Sequence, residues 1–279
     1  MLNKEIQDDL IAKGRAFLRG YQDNDPYAEG FESDQDLKLP QPPLVKAAVT
    51  PKETHIPLPK DFSKLPMLHN LTQLFENRHS ARIYTQEEMT LEQLSFLLWS
   101  CQGIKSIRGK SYATLRTVPS GGARHPFETY LVIRKVNELK PGLYHYLPLN
   151  HTLEFLHEIN DLDHKITESL CDQSWAAKAN VLFYWSVVPY RAECRYGIYA
   201  HRTALMDAGH MGENLYLACT GIGLGCCAIA SFSDELCNQL LSLDGEDEFT
   251  LYVIPVGTVR SCDKAAEQAF YQFVADEGL

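Results

Sequence analysis

One long helix near the middle of the chain limits the possible folds more than any other feature of the sequence. We predict it over residues 196–220. One face of this helix carries a stripe of mostly small residues at steps of four, three, four and three: Ala204, Ala208, Met211, Leu215 and Ala218. Such spacing places them on one side of a helix, and Gly212 follows one turn after Ala208. Because small residues let another backbone come close, we expect this helix in the core or at a subunit interface.

Five segments rich in β-branched and aromatic residues predict strands. They are residues 128–135, 142–147, 152–157, 180–188 and 249–257. Residues 142–157 are expected to form a hairpin around Leu149 and Asn150. Strands and helices interleave without a regular βαβ rhythm, which predicts an α+β layered fold. No G-x-G-x-x-G follows a strand and there is no P-loop, so neither a Rossmann dinucleotide site nor an NTPase is supported.

The N-terminal quarter of the chain differs in composition from the rest. Residues 3–20 carry apolar side chains near helical spacing and predict a first amphipathic helix. Residues 22–60 are rich in proline and acidic side chains, which indicates an extended arm. Pro40 to Pro43 have the form of an SH3 ligand, but the simpler interpretation is an arm lying over the globular body. We therefore divide the chain into residues 1–67, helix and arm, and residues 68–279, a single domain. A capping box at Thr90 to Gln93 predicts a helix up to Ser100.

Composition excludes several functions. The net charge is -10 with a pI near 5.5, and the basic residues are scattered, which argues against a nucleic-acid partner. The apolar runs are far shorter than the roughly 20 residues of a membrane helix. The start of the chain does not resemble a signal peptide, so we expect a soluble cytoplasmic protein. The eight cysteines form no C-x-x-C pair, and His201 and His210 would lie on opposite helix faces, so no metal site is expected.

A basic segment, Arg78-His79-Ser80-Ala81-Arg82, is the strongest sign of a ligand. On an extended chain Arg78, Ser80 and Arg82 share one face, and the two arginines stand roughly 13 Å apart. This spacing is too wide for one phosphate but suits a long anionic ligand held at two points. The alternative is a solvated basic turn after a helix that ends near Glu76.

Three further segments carry small residues or a charge at places where a ligand could approach. Pro119 to Pro126 form a loop with two glycines, whose amides can approach a flat ligand. Residues 221–232 contain three glycines that end the long helix and leave room beside the chain. Gly257 to Arg260 deliver an arginine at the end of a strand. Each segment also has an ordinary structural explanation as a turn, a helix cap or a surface charge.

In this order, the four segments resemble the FMN-dependent nitroreductase superfamily, and within it the SagB-type dehydrogenases, which include thiazole- and oxazole-forming oxidases. The resemblance spans residues 68–260. It includes the helix sequence from Leu205 to Ala218, and its sharpest SagB-type match is Pro119 to Tyr130.

The resemblance implies an α+β sandwich with a central, mostly antiparallel sheet flanked by helices. It also implies an interlocked homodimer with FMN at the interface. Arg78, Ser80 and Arg260 would grip the phosphate, and Arg82 would reach the ribityl chain and the pyrimidine edge of the ring. The loop Pro119–Ala123 would come from the other subunit, and Ile229 to Ser231 would approach the N5 edge of the flavin. The implied cofactor-binding residues are Arg78, His79, Ser80, Arg82, Pro119, Ser120, Gly121, Gly122, Ala123, Ile229, Ala230, Ser231 and Arg260.

The implied catalytic pair departs from the azoline oxidases of the family. Those enzymes use a Lys-Tyr pair shortly before the central helix, where this chain has Arg195 and Tyr196. Arginine stays protonated and cannot act as a base, although Arg195 could favour a Tyr196 tyrosinate. The alternative is a tyrosine packed at the helix start.

Our first hypothesis is therefore an FMN oxidoreductase that passes hydride from NADH or NADPH to a small acceptor such as a nitroaromatic or quinone. The second is oxidation of azoline rings in a modified peptide. The third is a flavin-binding protein without turnover.

Overall fold

The computed structural model describes residues 4–19 and 32–260, together with Ala269, Gln272 and Asp276. The first part of the predicted arm, residues 22–31, lies outside the described residues. The seven α-helices of the described chain are α1 (Lys4–Arg19), α2 (Leu71–Asn77), α3 (Leu91–Gln102), α4 (Leu162–Ser169), α5 (Tyr190–Tyr196), α6 (Ala200–Gly221) and α7 (Asp234–Leu241). The helix predicted over residues 3–20 is confirmed as α1.

Nine strands form one large sheet and one hairpin. They are β1 (Ile56–Pro57), β2 (Ile104–Arg108), β3 (Ala113–Arg116), β4 (Phe127–Ile133), β5 (Gly142–Leu147), β6 (Thr152–His157), β7 (Val181–Val187), β8 (Leu224–Cys226) and β9 (Phe249–Thr258). The large sheet has the order β1-β6-β5-β4-β7-β9-β8, and each neighbouring pair is antiparallel. β2 and β3 form a separate two-stranded sheet. The five predicted strands and the β5–β6 hairpin are confirmed, whereas β1, β2, β3 and β8 were not predicted.

The large sheet lies between two layers of helices, and the alternation of side chains along its central strands shows why. In β7, Phe183 and Trp185 face one core with α3 and α6, while Leu182 and Tyr184 face a second core with α4 and α7. Both faces of β4 and β7 are covered, which explains why every residue of these strands is buried. The α+β layered fold predicted from the sequence is confirmed.

The capping box that the sequence predicts is present at the start of α3. The Thr90 hydroxyl accepts from the Gln93 amide, and the Gln93 side chain accepts from the Thr90 amide. These bonds satisfy two amide groups that have no partner within the helix. α3 therefore begins at Leu91 and continues to Gln102, two residues further than predicted.

The predicted central helix is correct in its core position but wrong in its start. The chain forms the short helix α5, then one turn of 3₁₀ helix over Gly197–Tyr199, and only then α6. Gly197 has φ of 49°, a backbone conformation that favours glycine and interrupts an α-helix. The predicted stripe Ala204 to Ala218 is buried in the first core. Tyr196 therefore ends one helix instead of beginning the long one.

The described part of the arm crosses the globular body through buried charged groups. The Lys46 amide donates to Glu128, and the Val49 and Thr50 amides donate to Glu154 at 2.9 and 3.0 Å. His145 lies between these two glutamates, with Nδ1 2.8 Å from Glu154 and Nε2 3.1 Å from Glu128. We call Glu128, His145 and Glu154 the latch. This agrees with the expectation of an arm lying over the body.

No helix within the described ranges has the length and apolar character needed to cross a bilayer.

Candidate functional site

The basic segment follows directly after α2 and runs beside the edge strand β8. Ser80 forms a bridge with Cys226, and the Ala81 amide donates to the Cys226 carbonyl at 2.9 Å. The two chains approach so closely that a Cβ on Gly225 would lie 2.6 Å from the Cβ of Ala81. Glycine at position 225 thus allows the segment to dock on the sheet. The extended conformation predicted from the alternating residues is confirmed.

Tyr216 of α6 connects the basic segment to the stretch that follows β8. Its hydroxyl lies 3.0 Å from the Ser80 hydroxyl and accepts from the Ala228 amide at 2.8 Å. The Arg78 guanidinium lies over the Tyr216 ring at 5.4 Å. Burial raises the pKa of Tyr216, which keeps its hydroxyl protonated and able to donate one hydrogen bond. Two segments that are far apart in sequence are therefore joined by one side chain.

Arg82 and Cys227 extend this region beyond Ser80. The Arg82 guanidinium lies over the ring of Trp175 at 5.8 Å. Burial raises the pKa of Cys227, while the positive charge of Arg82 and a hydrogen bond with Ser80 act in the opposite direction. Ser80 and Arg82 are thus both close enough to Cys227 to influence its thiol.

The other residues predicted in this region have varied surroundings. Arg260 is exposed, and its guanidinium lies 3.7 Å from a carboxylate oxygen of Glu87. His79 is exposed and its Nδ1 lies 2.9 Å from the Asn77 carbonyl. Ile229 is buried and bridges to Val253, whereas Ala230 and Ser231 are exposed.

The loop Pro119–Ala123 is held by a buried carboxylate of α6. The Asp207 carboxylate accepts from the Ser120 hydroxyl at 2.6 Å and from the Gly121 amide at 3.1 Å. The Ser120 hydroxyl also accepts from the His125 amide. Ala123 and His125 both have positive φ values, which are unfavourable for residues with a Cβ. The bonds to Asp207 and Ser120 help to stabilise this strained turn.

Gly122 of the same loop lies against the predicted catalytic pair. A Cβ at this position would lie 2.3 Å from the Tyr196 hydroxyl oxygen and 3.0 Å from an Arg195 nitrogen. The Arg195 guanidinium lies over the Tyr196 ring at 5.3 Å and donates to the Tyr112 hydroxyl at 3.2 Å. The φ of 56° at Gly122 favours glycine, and a larger residue would also displace the ends of the Tyr196 and Arg195 side chains of the same chain. The structure brings together two features that were predicted separately.

A single chain does not bring this loop to the basic segment. Asp207 and Tyr216 are nine residues apart on α6, so at 100° per residue they point to opposite sides of the helix. The separation along the helix axis is roughly 13 Å. Of the predicted residues, Arg78 and Ser80 contact Tyr216, whereas Ser120, Gly121 and Gly122 lie at Asp207 and Tyr196.

Sequence reasoning did not single out Tyr216, Asp207 or Tyr112. A signal was present for Asp207, because a carboxylate next to the apolar stripe of a core helix needs buried hydrogen-bond donors. Tyr216 carried no comparable signal, since its role depends on the close approach of two distant segments.

The layered fold defines an α+β protein, and the segment Arg78 to Arg82 places guanidinium and hydroxyl donors, the groups that bind anions in proteins, beside the edge strand β8. A model of the nitroreductase family matches residues 75–258, and the chain belongs to this family. A protein named putative nitroreductase MJ1384 from Methanocaldococcus jannaschii is 30% identical over 180 residues, which cover 64% of this chain and 86% of the relative.

Two further proteins are similar to this chain. The microcin B17-processing protein McbC of Escherichia coli is 28% identical over 159 residues, and the match spans 56% of each chain, so this chain covers little more than half of that relative. This similarity supports a place in the SagB-type branch. A crystal structure of a putative nitroreductase from Ralstonia eutropha has a TM-score of 0.61 and 26% identity, and the match covers 80% of this chain and all of that one.

Proposed function

We propose that this chain is a homodimeric FMN oxidoreductase of nitroreductase type. It would use NADH or NADPH to reduce a small acceptor such as a nitroaromatic or quinone. The main support is the arrangement around Tyr216, whose hydroxyl joins Ser80 of the arginine-rich segment to the Ala228 amide. The exposed residues Ala230 and Ser231 follow shortly after Ala228 and would leave room for a phosphate-bearing planar group.

The residues around Tyr216 fit FMN in their chemistry. Arg78 and Ser80, with Arg260, would hold the phosphate by charge-assisted hydrogen bonds. Arg82 would contact the ribityl chain and the pyrimidine edge, where its fixed charge favours an anionic reduced ring. Ile229, Ala230 and Ser231 would lie at the N5 edge. When bound, FMN supplies the hydride chemistry.

The homodimer is part of the same proposal. The loop Pro119–Ala123 and the basic segment lie on opposite sides of α6, so a loop from a second copy would be needed to complete each site. The exposed side of α6 carries Leu205 and Met206, which are 46% and 55% exposed. Gly209 lies one helical turn after Leu205, and a Cβ added there would meet open space. A close helix contact between copies would cover this apolar surface.

Anaerobic titration of the purified protein with NADH and then NADPH tests the activity. Loss of the flavin absorbance is expected with one of the two donors. A yellow protein that neither donor bleaches would instead support the third hypothesis, a flavin-binding protein without turnover.

A matched pair of variants tests the phosphate site. Arg78→Ala should lose FMN, because the cradle loses both charge and hydrogen-bond donors. Arg78→Lys keeps the charge but not the two-pronged donor, and should retain part of the flavin. Stoichiometric flavin in purified Arg78→Ala would contradict the assignment.

The contact of Gly122 with Arg195 and Tyr196 favours a second candidate function, oxidation of an azoline ring in a modified peptide. McbC is named as a processing protein for microcin B17, which supports the same substrate class. Tyr196, as tyrosinate, would take the substrate proton, and the adjacent positive charge of Arg195 would balance the tyrosinate before the transfer. Peptide oxidation that survives Tyr196→Phe, with flavin reduction unchanged, would remove Tyr196 from this role.

A further inference from the structure

The β2–β3 hairpin presents an unusual edge to solvent. Ala113, Thr114 and Arg116 of β3 are buried against the body, whereas all of β2 after Ile104 is exposed. β2 pairs with β3 on one side and with nothing else in the described chain. Its outer edge therefore offers backbone amide and carbonyl groups to an incoming strand. Ile107, on this edge, is 52% exposed.

The hairpin is also positively charged in an otherwise acidic protein. Lys105 and Arg108 lie on β2, and Lys110 lies in the turn; all three are exposed. None of the ion pairs among the described residues includes them. The whole chain has a net charge of -10, so these three charges form a positive patch on an acidic protein. Such a patch favours an acidic partner over a neutral or basic one.

The turn of the hairpin contacts the candidate catalytic pair through Tyr112. Tyr112 lies between the turn and β3, and its hydroxyl accepts from Arg195 at 3.2 Å. Its carbonyl accepts from Arg124 at 3.0 Å, and the Arg124 guanidinium lies over its ring. A chain bound along β2 would thus pass close to the turn that carries Tyr112, the residue that contacts Arg195.

We propose that β2 is a docking edge for an extended acidic peptide segment, which adds to the hairpin as a third strand. Main-chain hydrogen bonds along β2 supply register, and carboxylates of the peptide pair with Lys105, Arg108 and Lys110. The inference deepens the second candidate function, because it supplies a way to hold a peptide substrate beside Tyr196. It does not depend on the NAD(P)H activity of the first candidate.

Charged residues on an edge strand also discourage pairing with arbitrary chains. The three positive charges of β2 and its turn repel a basic segment and gain nothing from a neutral one. An acidic segment pairs with them instead. The same residues therefore exclude most strands and admit one class of them. This selectivity is what the experiment measures.

Binding is measured by fluorescence anisotropy with the full-length oxidised protein and no electron donor. The probe is a labelled peptide in which glutamate alternates with valine and threonine. A matched peptide has glutamine in place of glutamate, and a third carries N-methyl groups on alternate backbone nitrogens. The acidic probe should bind more tightly than both, and it should slow hydrogen exchange of the β2 amides.

The test variant combines Lys105→Gln, Arg108→Gln and Lys110→Gln. Its matched control removes three exposed lysines elsewhere, with Lys52→Gln, Lys165→Gln and Lys178→Gln. We expect the test variant to bind the acidic probe about tenfold more weakly, from the sum of three exposed charge pairs. The control should bind like the unmodified protein, apart from the small effect of its overall charge.

Equal binding by the two triple variants would overturn the proposal. So would equal binding of the N-methylated probe, which cannot add as a strand. A change in oligomeric state of the test variant would assign the edge to a contact between copies, and tighter binding of a single-stranded oligonucleotide would assign it to nucleic acid. Either result also overturns the proposal. Flavin reduction by NAD(P)H, measured on the same preparations, reports separately on the first proposed function.

Discussion

Single side chains with two hydrogen-bond partners organise the candidate site. Tyr216 joins two segments, and Asp207 holds the glycine loop. Both are on α6, so the central helix determines where the loop and the basic segment lie. Substitutions that remove only one polar group test these roles.

Tyr216→Phe removes the hydroxyl shared by Ser80 and Ala228. We expect FMN to bind roughly tenfold more weakly, because the variant loses the equivalent of about one hydrogen bond that positions the site. Flavin fluorescence titration of the apoprotein measures this. Tyr252→Phe is the control, because the Tyr252 hydroxyl has no described hydrogen bond. Equal FMN affinity of the two variants would show that Tyr216 does not position the cradle.

Asp207→Asn replaces one carboxylate oxygen with an amide group. Either the Ser120 hydroxyl or the Gly121 amide then faces a donor, in a buried place where an unmade bond destabilises the protein by about 1–3 kcal/mol. Denaturant unfolding should show this loss. Glu213→Gln, an exposed position on the same helix, should leave the free energy of unfolding almost unchanged. A similar effect of both substitutions would mean that the loop contacts add little.

Some features of the site follow from local sequence, and others depend on residues that are far apart in the chain. Arg78, Ser80 and Arg82 are recognisable because their spacing is local and fits an extended chain. Asp207 and Ser120 are 87 positions apart, and nothing in either sequence neighbourhood indicates the other. The Gly122 contact with Tyr196 is equally non-local. The local basic segment and the glycine loop could therefore be singled out from the sequence, but Tyr216, Asp207 and the contacts they make could not.

At the level of elements, the arm and the sheet are joined by the latch. Burial alone would lower the pKa of His145, but its hydrogen bonds to Glu128 and Glu154 outweigh this and raise it. Burial acts to raise the pKa of Glu128, but Arg191 and His145 hold it at about 2. A neutral imidazole has one N–H and can donate to only one of its two glutamate neighbours. The latch thus needs a protonated His145.

The latch gives stability a defined pH dependence. Since the folded pKa of His145 is raised, its contribution is complete below the unfolded value of about 6.5 and is lost as the pH rises through the folded value. The free energy of unfolding should therefore fall on the alkaline side, and exchange of the Val49 and Thr50 amides should accelerate. Because the pKa values of Glu128 and Glu154 are both held at about 2, their contribution is complete above the unfolded value of about 4.3 and is lost as the pH falls from there through the folded value.

Variants of two histidines separate this effect from general titration. His145→Gln should flatten the alkaline fall in unfolding free energy, whereas His164→Gln, an exposed position on α4, should retain it. An unchanged pH profile for His145→Gln would exclude the latch as its cause.

Element predictions succeeded where the pattern was long or the chemistry local. β7 is apolar except for Ser186, β4 ends in the apolar run Tyr130 to Ile133, and α3 has a complete capping box. β8 has only three residues between glycine-rich turns, and β1 owes its existence to pairing with β6. The break at Gly197 was missed because the apolar spacing continues on either side of it. Tertiary contacts decide such short elements.

For the molecule as a whole, the exposed side of α6 is the surface that the proposed dimer would use. Apart from its chain neighbours and the backbone of α6 itself, no described atom lies within 4 Å of a Cβ added at Gly209, so a side chain can extend from this position in a single chain, and leucine is also a better helix former by about 1 kcal/mol. Gly209→Leu should therefore fold but separate the proposed dimer and release FMN. Sedimentation and flavin absorbance measure both outcomes.

Lys165→Leu adds an exposed leucine on the opposite helical layer and serves as the control for that substitution. It should leave mass and flavin content unchanged. A flavin-bound dimer of Gly209→Leu would show that this side of α6 is not the contact.

The overall architecture was predictable because the strands with apolar runs and the small-residue helix already specify a sheet packed under a central helix. The two-sided covering of the sheet was less evident. α4 and α7 each have only eight residues, and the second core that they cover is apparent only from the alternation along β4 and β7.

The opposite placement of Asp207 and Tyr216 on α6 has a genetic consequence. If each pocket borrows its loop from a neighbour, a chain crippled by Arg78→Ala and another crippled at Asp207 can rescue one another when mixed. Mixed pairs would contain one wholly intact pocket and one doubly damaged pocket, so random reassortment restores about a quarter of all pockets. Two inactive alleles expressed together would then yield a pigmented, working enzyme.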